Sequence, residues 1–395
     1  MLHVAQISFF TDPAARPPEQ LLAAWPSLVD VAEAACEAGV RVSVIQASSH
    51  SLTLARGGVS YYFLPFGRGL PSGAQDGAFA ALLRELAPDV FHVHGLSFSR
   101  DVASLARWAP DAAIVVQDHA NQPPRFWRRL QWRRRARVIS GISFCSREQA
   151  RPFSDAGLLP RHTRIYEIPE STSRFTPADR EAARRAAHVE GEPLVLWVGH
   201  LDENKDPLTV LAGVSEAVGS LPGLQLYCCF GTAPLLHEVE HRIATDPALT
   251  GRVHLLGPVP HERVEQLMRA ADIFVLGSHR EGSGYSLIEA LACGLPAVVT
   301  DIPSFRSLTG GGQVGKLWQR GNAHALAAAL RSMAAAITSD TRAATRAHFE
   351  RELSLQAVGS KLVAMYRDAA QRKRGRTDCS TLADGARVGA SGGQM

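Results

Sequence analysis

Residues 271–301 read ADIFVLGSHREGSGYSLIEALACGLPAVVTD, and the periodicity of this stretch changes several times. Asp272 to Leu276 is a β-rich apolar run and Gly277 to Gly284 a loop of small residues. Tyr285 to Cys293 follows a helical period, Gly294 stands where helices commonly stop, and Ala297 to Thr300 is a second β-rich run. Strand, helix and strand in that order make a βαβ unit, whose two strands lie parallel. Helical spacing buries Leu287, Ile288, Leu291 and Ala292 and leaves Tyr285, Ser286 and Glu289 on the other face. Gly282 and Gly284 let the backbone approach a ligand closely, and the first amides of a helix point outward. The loop therefore has the outline of a phosphate cradle, with Glu289 facing the ligand rather than the core. The bland alternative makes Glu281 a solvated loop acid and Glu289 an ordinary surface acid.

The same alternation runs along most of the chain, so the fold class is α/β with parallel sheets covered by helices. β-rich runs fall at Val4 to Ser8, Val40 to Gln46, Tyr61 to Leu64, Val90 to His94, Ile114 to Gln117 and Gly141 to Cys145. A second series begins at Leu194 to Val198 and continues through Leu224 to Phe230, Val253 to Leu256, Asp272 to Leu276, Ala297 to Thr300 and Val314 to Trp318. Leu21 to Ala38 reads as one helix. Two Rossmann-like halves follow, 1–170 and 171–355, joined near Ile168 to Thr172 and expected to face each other across a ligand cleft. Residues 356–372 are expected to form a helix returning to the N-terminal half, and 373–395, rich in Arg, Gly, Ser and Ala, a disordered tail.

The chain has 395 residues, 46% hydrophobic and 20% charged, which is ordinary globular usage with enough apolar material for two cores. Its net charge of +4 excludes a whole-surface field for nucleic acid or membrane, so a basic partner site has to be local. Six scattered cysteines with no C-x-x-C fit a reducing cytoplasm. The N-terminus lacks a basic segment followed by an apolar one, and no run of 18 apolar residues occurs, so neither secretion nor membrane spanning is expected.

Glu281 and Glu289, separated by seven residues and followed by Ala292-Cys293-Gly294-Leu295-Pro296, resemble the E-x7-E signature of the retaining glycosyltransferases of family 4. The resemblance covers about residues 1–370 and is strongest from Leu194 to Val299. It implies the two-domain GT-B fold, Glu289 on the ribose of a nucleotide sugar, and Glu281 on the donor hexose near the reacting carbon. Gly284 matches the family glycine, while Ser283 replaces its usual phenylalanine. Val198-Gly199-His200-Leu201-Asp202-Glu203-Asn204-Lys205-Asp206 resembles the family's diphosphate-neutralising stretch, with Lys205 kept and His200 in place of arginine. Only four lysines occur in the chain, and one stands at this spot. A compact ammonium there can meet a leaving phosphate as a point charge. The first βα loop, Phe9 to Pro18, lacks the Gly-Gly pair common in the family.

In the first half the resemblance places a donor-facing histidine at His119, after Val115-Val116-Gln117-Asp118, where it could bond a hydroxyl or stabilise charge at the anomeric centre. His92 and His94 share a strand face and read more readily as a polar wall than as a metal pair. Arg125 to Arg137 holds seven arginines and three aromatics. As a helix it would turn Phe126, Leu130 and Trp127 inward and its arginines outward, giving either a solvated face or a contact for anionic lipid or a phosphorylated acceptor.

The expected protein is a hexosyltransferase of glycan biosynthesis. It takes a nucleoside diphosphate sugar as donor and a glycan, lipid-linked sugar or small molecule as acceptor. Gly199, His200, Lys205, Gly282, Ser283, Gly284, Tyr285, Ser286 and Glu289 hold the donor, and His119, Glu281 and Lys205 serve the chemistry. No metal or other cofactor and no nucleic-acid partner is expected. The competing readings are a nucleotide-sugar epimerase or hydrolase of the same fold and a non-catalytic sugar-nucleotide or glycan binder.

Overall fold

Strands that are apolar at nearly every position need cover on both faces, and helices supply it in a parallel sheet. The computed structural model describes residues 1–65 and 77–389. Its first compact unit, Met1–Glu170 with the segment from Val358 onward, contains β1 (His3–Ser8), β2 (Arg41–Ala47), β3 (Leu52–Arg56), β4 (Val59–Leu64), β5 (Val90–His94), β6 (Ala113–Gln117), β7 (Gly141–Phe144) and β8 (Arg164–Glu167). They form one sheet in the order β3-β4-β2-β1-β5-β6-β7-β8. Every neighbouring pair is parallel except β3 and β4. Ile7, Phe91, Ile114 and Phe144 belong to one apolar layer. Val4, Val42, Tyr61 and Val115 belong to the other, which also takes Val31 and Ala35 and, from the last helix, Val358, Leu362 and Tyr366.

The second unit, Ser171–Ala357, holds an all-parallel sheet. Its strands are β9 (Leu194–Gly199), β10 (Gln225–Phe230), β11 (Val253–Gly257), β12 (Ile273–Leu276), β13 (Ala297–Thr300) and β14 (Gly315–Trp318), in the order β11-β10-β9-β12-β13-β14. Buried Asp272 fastens one end of it, accepting from Arg180 at 2.6 Å, Arg184 at 2.5 Å and the Leu194 amide at 2.8 Å.

Three sequence expectations are corrected. The helix read as Leu21 to Ala38 is two helices, Pro18–Ala24 and Pro26–Glu37, because a proline cannot donate to the preceding turn and suits the first turn of a new helix. The antiparallel strand β3 was not foreseen. It is joined to β4 by Gly57 and Gly58 at φ +56° and +77°, the backbone that a two-residue hairpin loop requires. The last helix runs Leu355–Gly389, past the expected boundary at 372, since extending an existing helix adds a hydrogen bond per residue without a new nucleus. Residues 390–395 of the expected tail lie outside the described residues. Among the described residues no helix is long and apolar enough to cross a membrane.

Candidate active site

In an open parallel sheet, ligands gather beyond the carboxyl ends of the strands where the order reverses. In the second unit that point lies between β9 and β12. The loop after β9 carries Lys205, and the loop after β12 carries Glu281. Main-chain and side-chain bonds lace the two loops together. The His279 amide donates to the Asn204 carbonyl at 2.7 Å, Asn204 Nδ2 to the Arg280 carbonyl at 3.0 Å, and His279 Nε2 meets Asp206 Oδ2 at 2.9 Å. Gly277 permits this approach, because a Cβ there would stand 3.0 Å from the Lys205 carbonyl and 2.9 Å from Val210. The result is a direct ion pair between Lys205 Nζ and Glu281 Oε1, both mostly buried. A buried pair of this kind lasts only where other groups fix its geometry, and the lacing does so.

The glycine-rich stretch then turns into the helix Tyr285–Ala292. Gly284 has φ +81°, and a Cβ there would sit 2.6 Å from Phe305, so backbone and packing both favour glycine. Ser283 is fully buried, and Ser286 Oγ donates to the Val198 carbonyl at 3.0 Å, binding the helix start to β9. Leu287, Ile288, Leu291 and Ala292 are buried. Glu289 points instead to His261, with Oε1 2.6 Å from Nε2. The His261 ring rests on Phe175 with centroids 4.7 Å apart. Sequence reasoning missed His261, which stands at the start of the helix His261–Ala270 after Pro260. His200 is exposed, and its Nδ1 accepts the Thr232 amide at 3.2 Å. The ring therefore holds the loop after β10 through one nitrogen.

In the first unit the order reverses between β1 and β5. The loop after β1 is built on Asp12, which accepts the Ala14 and Arg16 amides and the Arg16 guanidinium, each at 3.1 Å. A carboxylate thus organises the turn where the family's Gly-Gly pair is missing. Within β5 and just past β6 three imidazoles line up. His92 and His94 have centroids 4.6 Å apart, and His94 Nδ1 is 3.3 Å from His119 Nε2. His92 Nδ1 meets the Tyr366 hydroxyl at 2.8 Å, and Gln6 Nε2 donates to that hydroxyl at 3.2 Å. His119 Nδ1 contacts the Glu170 carboxylate directly. Asn121 Oδ1 accepts the Leu96 amide at 2.8 Å and the His119 amide at 3.3 Å, joining the two strand-end loops.

The electrostatics of this row are uneven. Burial pushes His92 down to about 3, helped by the charge of His119, and burial with both neighbouring imidazoles holds His94 well below the ordinary range. Burial acts the same way on His119, but the Glu170 carboxylate, by charge and hydrogen bond, and then Asp118 outweigh it and raise the group. Burial also lifts Asp118 to about 6. Protonation in this row is thus favoured at His119 over His92 and His94. Asp118, Glu170 and Tyr366 were missed by sequence reasoning. The signal available was an acid beside the histidine and a Pro-Glu-Ser at the joint, neither of which fixes a contact.

Two family models match the chain, one described as Glycosyltransferase Family 4 over residues 26–170 and one as Glycosyl transferases group 1 over residues 179–347. A D-inositol 3-phosphate glycosyltransferase of Rhodococcus erythropolis is 30% identical over 205 residues, half of this chain and 46% of the relative. The 2-deoxystreptamine N-acetyl-D-glucosaminyltransferase of Streptomyces fradiae is 26% identical over 273 residues, 63% of each chain. The match thus spans from about half to under two thirds of these relatives' lengths. The solved sucrose-phosphate synthase of Thermosynechococcus elongatus shares the fold, with a TM-score of 0.71 at 19% identity over 93% of this chain and 99% of that one. With its two parallel-sheet α/β units and these matches across both of them, the chain belongs to glycosyltransferase family 4 and has the GT-B fold.

Proposed function

We propose that this protein transfers a hexose from a nucleoside diphosphate sugar to an acceptor hydroxyl, with retention at the anomeric carbon and without a metal ion. The observation that carries the reading is the convergence of Lys205 and Glu281 at the β9/β12 reversal, beside a glycine-lined helix start. Lys205 and the first-turn amides of Tyr285–Ala292 supply positive charge for the leaving diphosphate. The Glu281 carboxylate, held by Lys205, accepts hydrogen bonds from hexose hydroxyls, and Glu289, steadied by His261, accepts those of the ribose. In the first unit, the ring nitrogens of His119 meet Glu170 and His94, and the Glu170 carboxylate raises its pKa. A ring so raised suits donation to an oxygen of the donor, since a positive charge there would oppose the positive charge that develops at the reacting carbon. The chemistry rests on positioning and fixed charge, with no protein nucleophile. The two relatives named above are named for cyclitol substrates, an inositol phosphate and 2-deoxystreptamine, so we assign the acceptor to the hydroxylated ring compounds.

The test is incubation of the purified protein with UDP-, GDP- and ADP-hexoses, with and without inositol phosphate, reading the product anomer by NMR. Transfer with retained configuration that survives EDTA is expected. Inversion, or loss on chelation restored by Mg²⁺, overturns the mechanism, and conversion of donor without acceptor overturns transfer itself in favour of epimerisation or hydrolysis.

A further inference from the structure

The helix Phe126–Ala136 does not turn Phe126, Trp127 and Leu130 inward as the sequence suggested. Phe126, Trp127 and Leu130 are 74%, 57% and 60% exposed, while Trp132 and Ala136 occupy the buried stripe. With Val138 they make four of the eight large apolar side chains that the described residues expose. Around them stand Arg125, Arg128, Arg133, Arg134 and Arg137, all exposed, and the half-buried Arg129 and Arg135. Among the described residues none of these seven forms an ion pair, and no acid occurs from Ala120 to Arg147. The Arg125 guanidinium lies 5.4 Å from the centre of the Trp127 ring. The basic surface continues beyond the helix, where Arg137 and Val138 border a cavity of about 410 Å³ with His162, Arg372 and Lys373.

A merely solvated helix would not hold three large apolar groups in water at its first two turns, since each leaves well over 1 kcal/mol of burial unused. An acidic protein surface would answer the charges but not offer apolar depth on a convex helix. A bilayer interface offers acyl chains beneath a layer of phosphates, matching apolar residues at one end of a helix ringed by guanidinium groups. We propose that Phe126–Ala136 docks this protein on an anionic phospholipid bilayer, with Phe126, Trp127 and Leu130 entering the acyl boundary and the arginines meeting headgroup phosphates. The helix begins seven positions after His119, so the docked end adjoins in sequence the strand end that carries this histidine. The inference does not depend on which sugar is transferred.

The test uses the full chain and phosphatidylcholine vesicles with and without phosphatidylglycerol. Sedimentation should require phosphatidylglycerol and weaken with salt. A triple Phe126→Ser, Trp127→Ser, Leu130→Ser variant and a triple Arg128→Ser, Arg133→Ser, Arg134→Ser variant should each lower the partition coefficient by about tenfold or more. Brominated acyl chains should quench the wild-type fluorescence and quench a Trp127→Phe variant less. Thermal melts within a few degrees of wild type confirm that the variants are folded. No sedimentation at low salt, equal binding to pure phosphatidylcholine, unchanged binding in either triple variant, or quenching that Trp127→Phe leaves intact would each overturn the proposal.

Discussion

Replacing the Glu170 carboxylate by an amide removes the charge that raises the His119 pKa. Because His119 is raised in the folded state, its contribution to stability is fully present below the unfolded value near ~6.5 and is lost as pH rises through the folded one. Glu170→Gln should therefore destabilise the protein most below about pH 6.5, with the difference shrinking at higher pH, as denaturant unfolding on both sides of that value would read. NMR titration of His119 should show a lower midpoint in the variant, and an unmoved midpoint would remove Glu170 from the account. Glu289→Ala should raise the donor KM by about tenfold or more and lower kcat less, because a ribose contact is made equally in ground and transition states. His261→Ala should move KM in the same direction by less, as it loosens Glu289 without removing it. Equal loss in kcat for Glu289→Ala would place that residue in the chemistry instead.

At the scale of elements, the closest approach involves Gly359. A Cβ there would stand 2.1 Å from the Ala34 carbonyl, so the last helix meets the helix Pro26–Glu37 with almost no space between backbones. Neither carbonyl nor helix backbone can yield as a flexible side chain would. Gly359→Ala is expected to cost about 3 kcal/mol, the upper end of overpacking in a dense core, measured as a shift in the denaturant midpoint at constant slope. A cost below about 0.5 kcal/mol would mean that the two helices separate easily. Sequence legibility also varied by element. Strands announced by continuous Val/Ile/Leu runs were legible, whereas Leu52–Arg56 was not, because an exposed edge strand carries no such run. The helix Phe126–Ala136 was legible as a helix but not as to its faces, since aromatic spacing gives a stripe without saying whether anything covers it.

For the whole molecule, the chain leaves the first unit after Glu170 and returns to it at Val358. Val358, Leu362, Val363, Met365, Tyr366 and Ala369 are then buried in the first unit's core, and the Tyr366 hydroxyl bonds to Gln6 and His92. Five of these six are large side chains worth about 1.5 kcal/mol or more each, so ending the chain at Ala357 removes more than about 7 kcal/mol, comparable to a domain's whole stability. The truncated protein should show a first unit that no longer melts cooperatively, with Ser171–Ala357 retaining its own transition in calorimetry. Two intact transitions after truncation would show that the return segment is dispensable.

The sequence by itself determined the α/β class, the βαβ unit at 271–301 and the loop and helix that carry Glu281 and Glu289, because periodicity and glycine placement act locally. It also singled out Lys205 and His119 through the family resemblance. What the tertiary structure decided is which of these groups touch: Lys205 with Glu281 across 76 positions, Glu289 with His261 across 28, and His119 with Glu170 and His94. Such pairings depend on strand order and on how closely two loops may approach, as at Gly277, and neither is written in local spacing. The exposed aromatics at 126–130 belong to the same class, because burial is a property of what lies opposite a residue rather than of the residue itself.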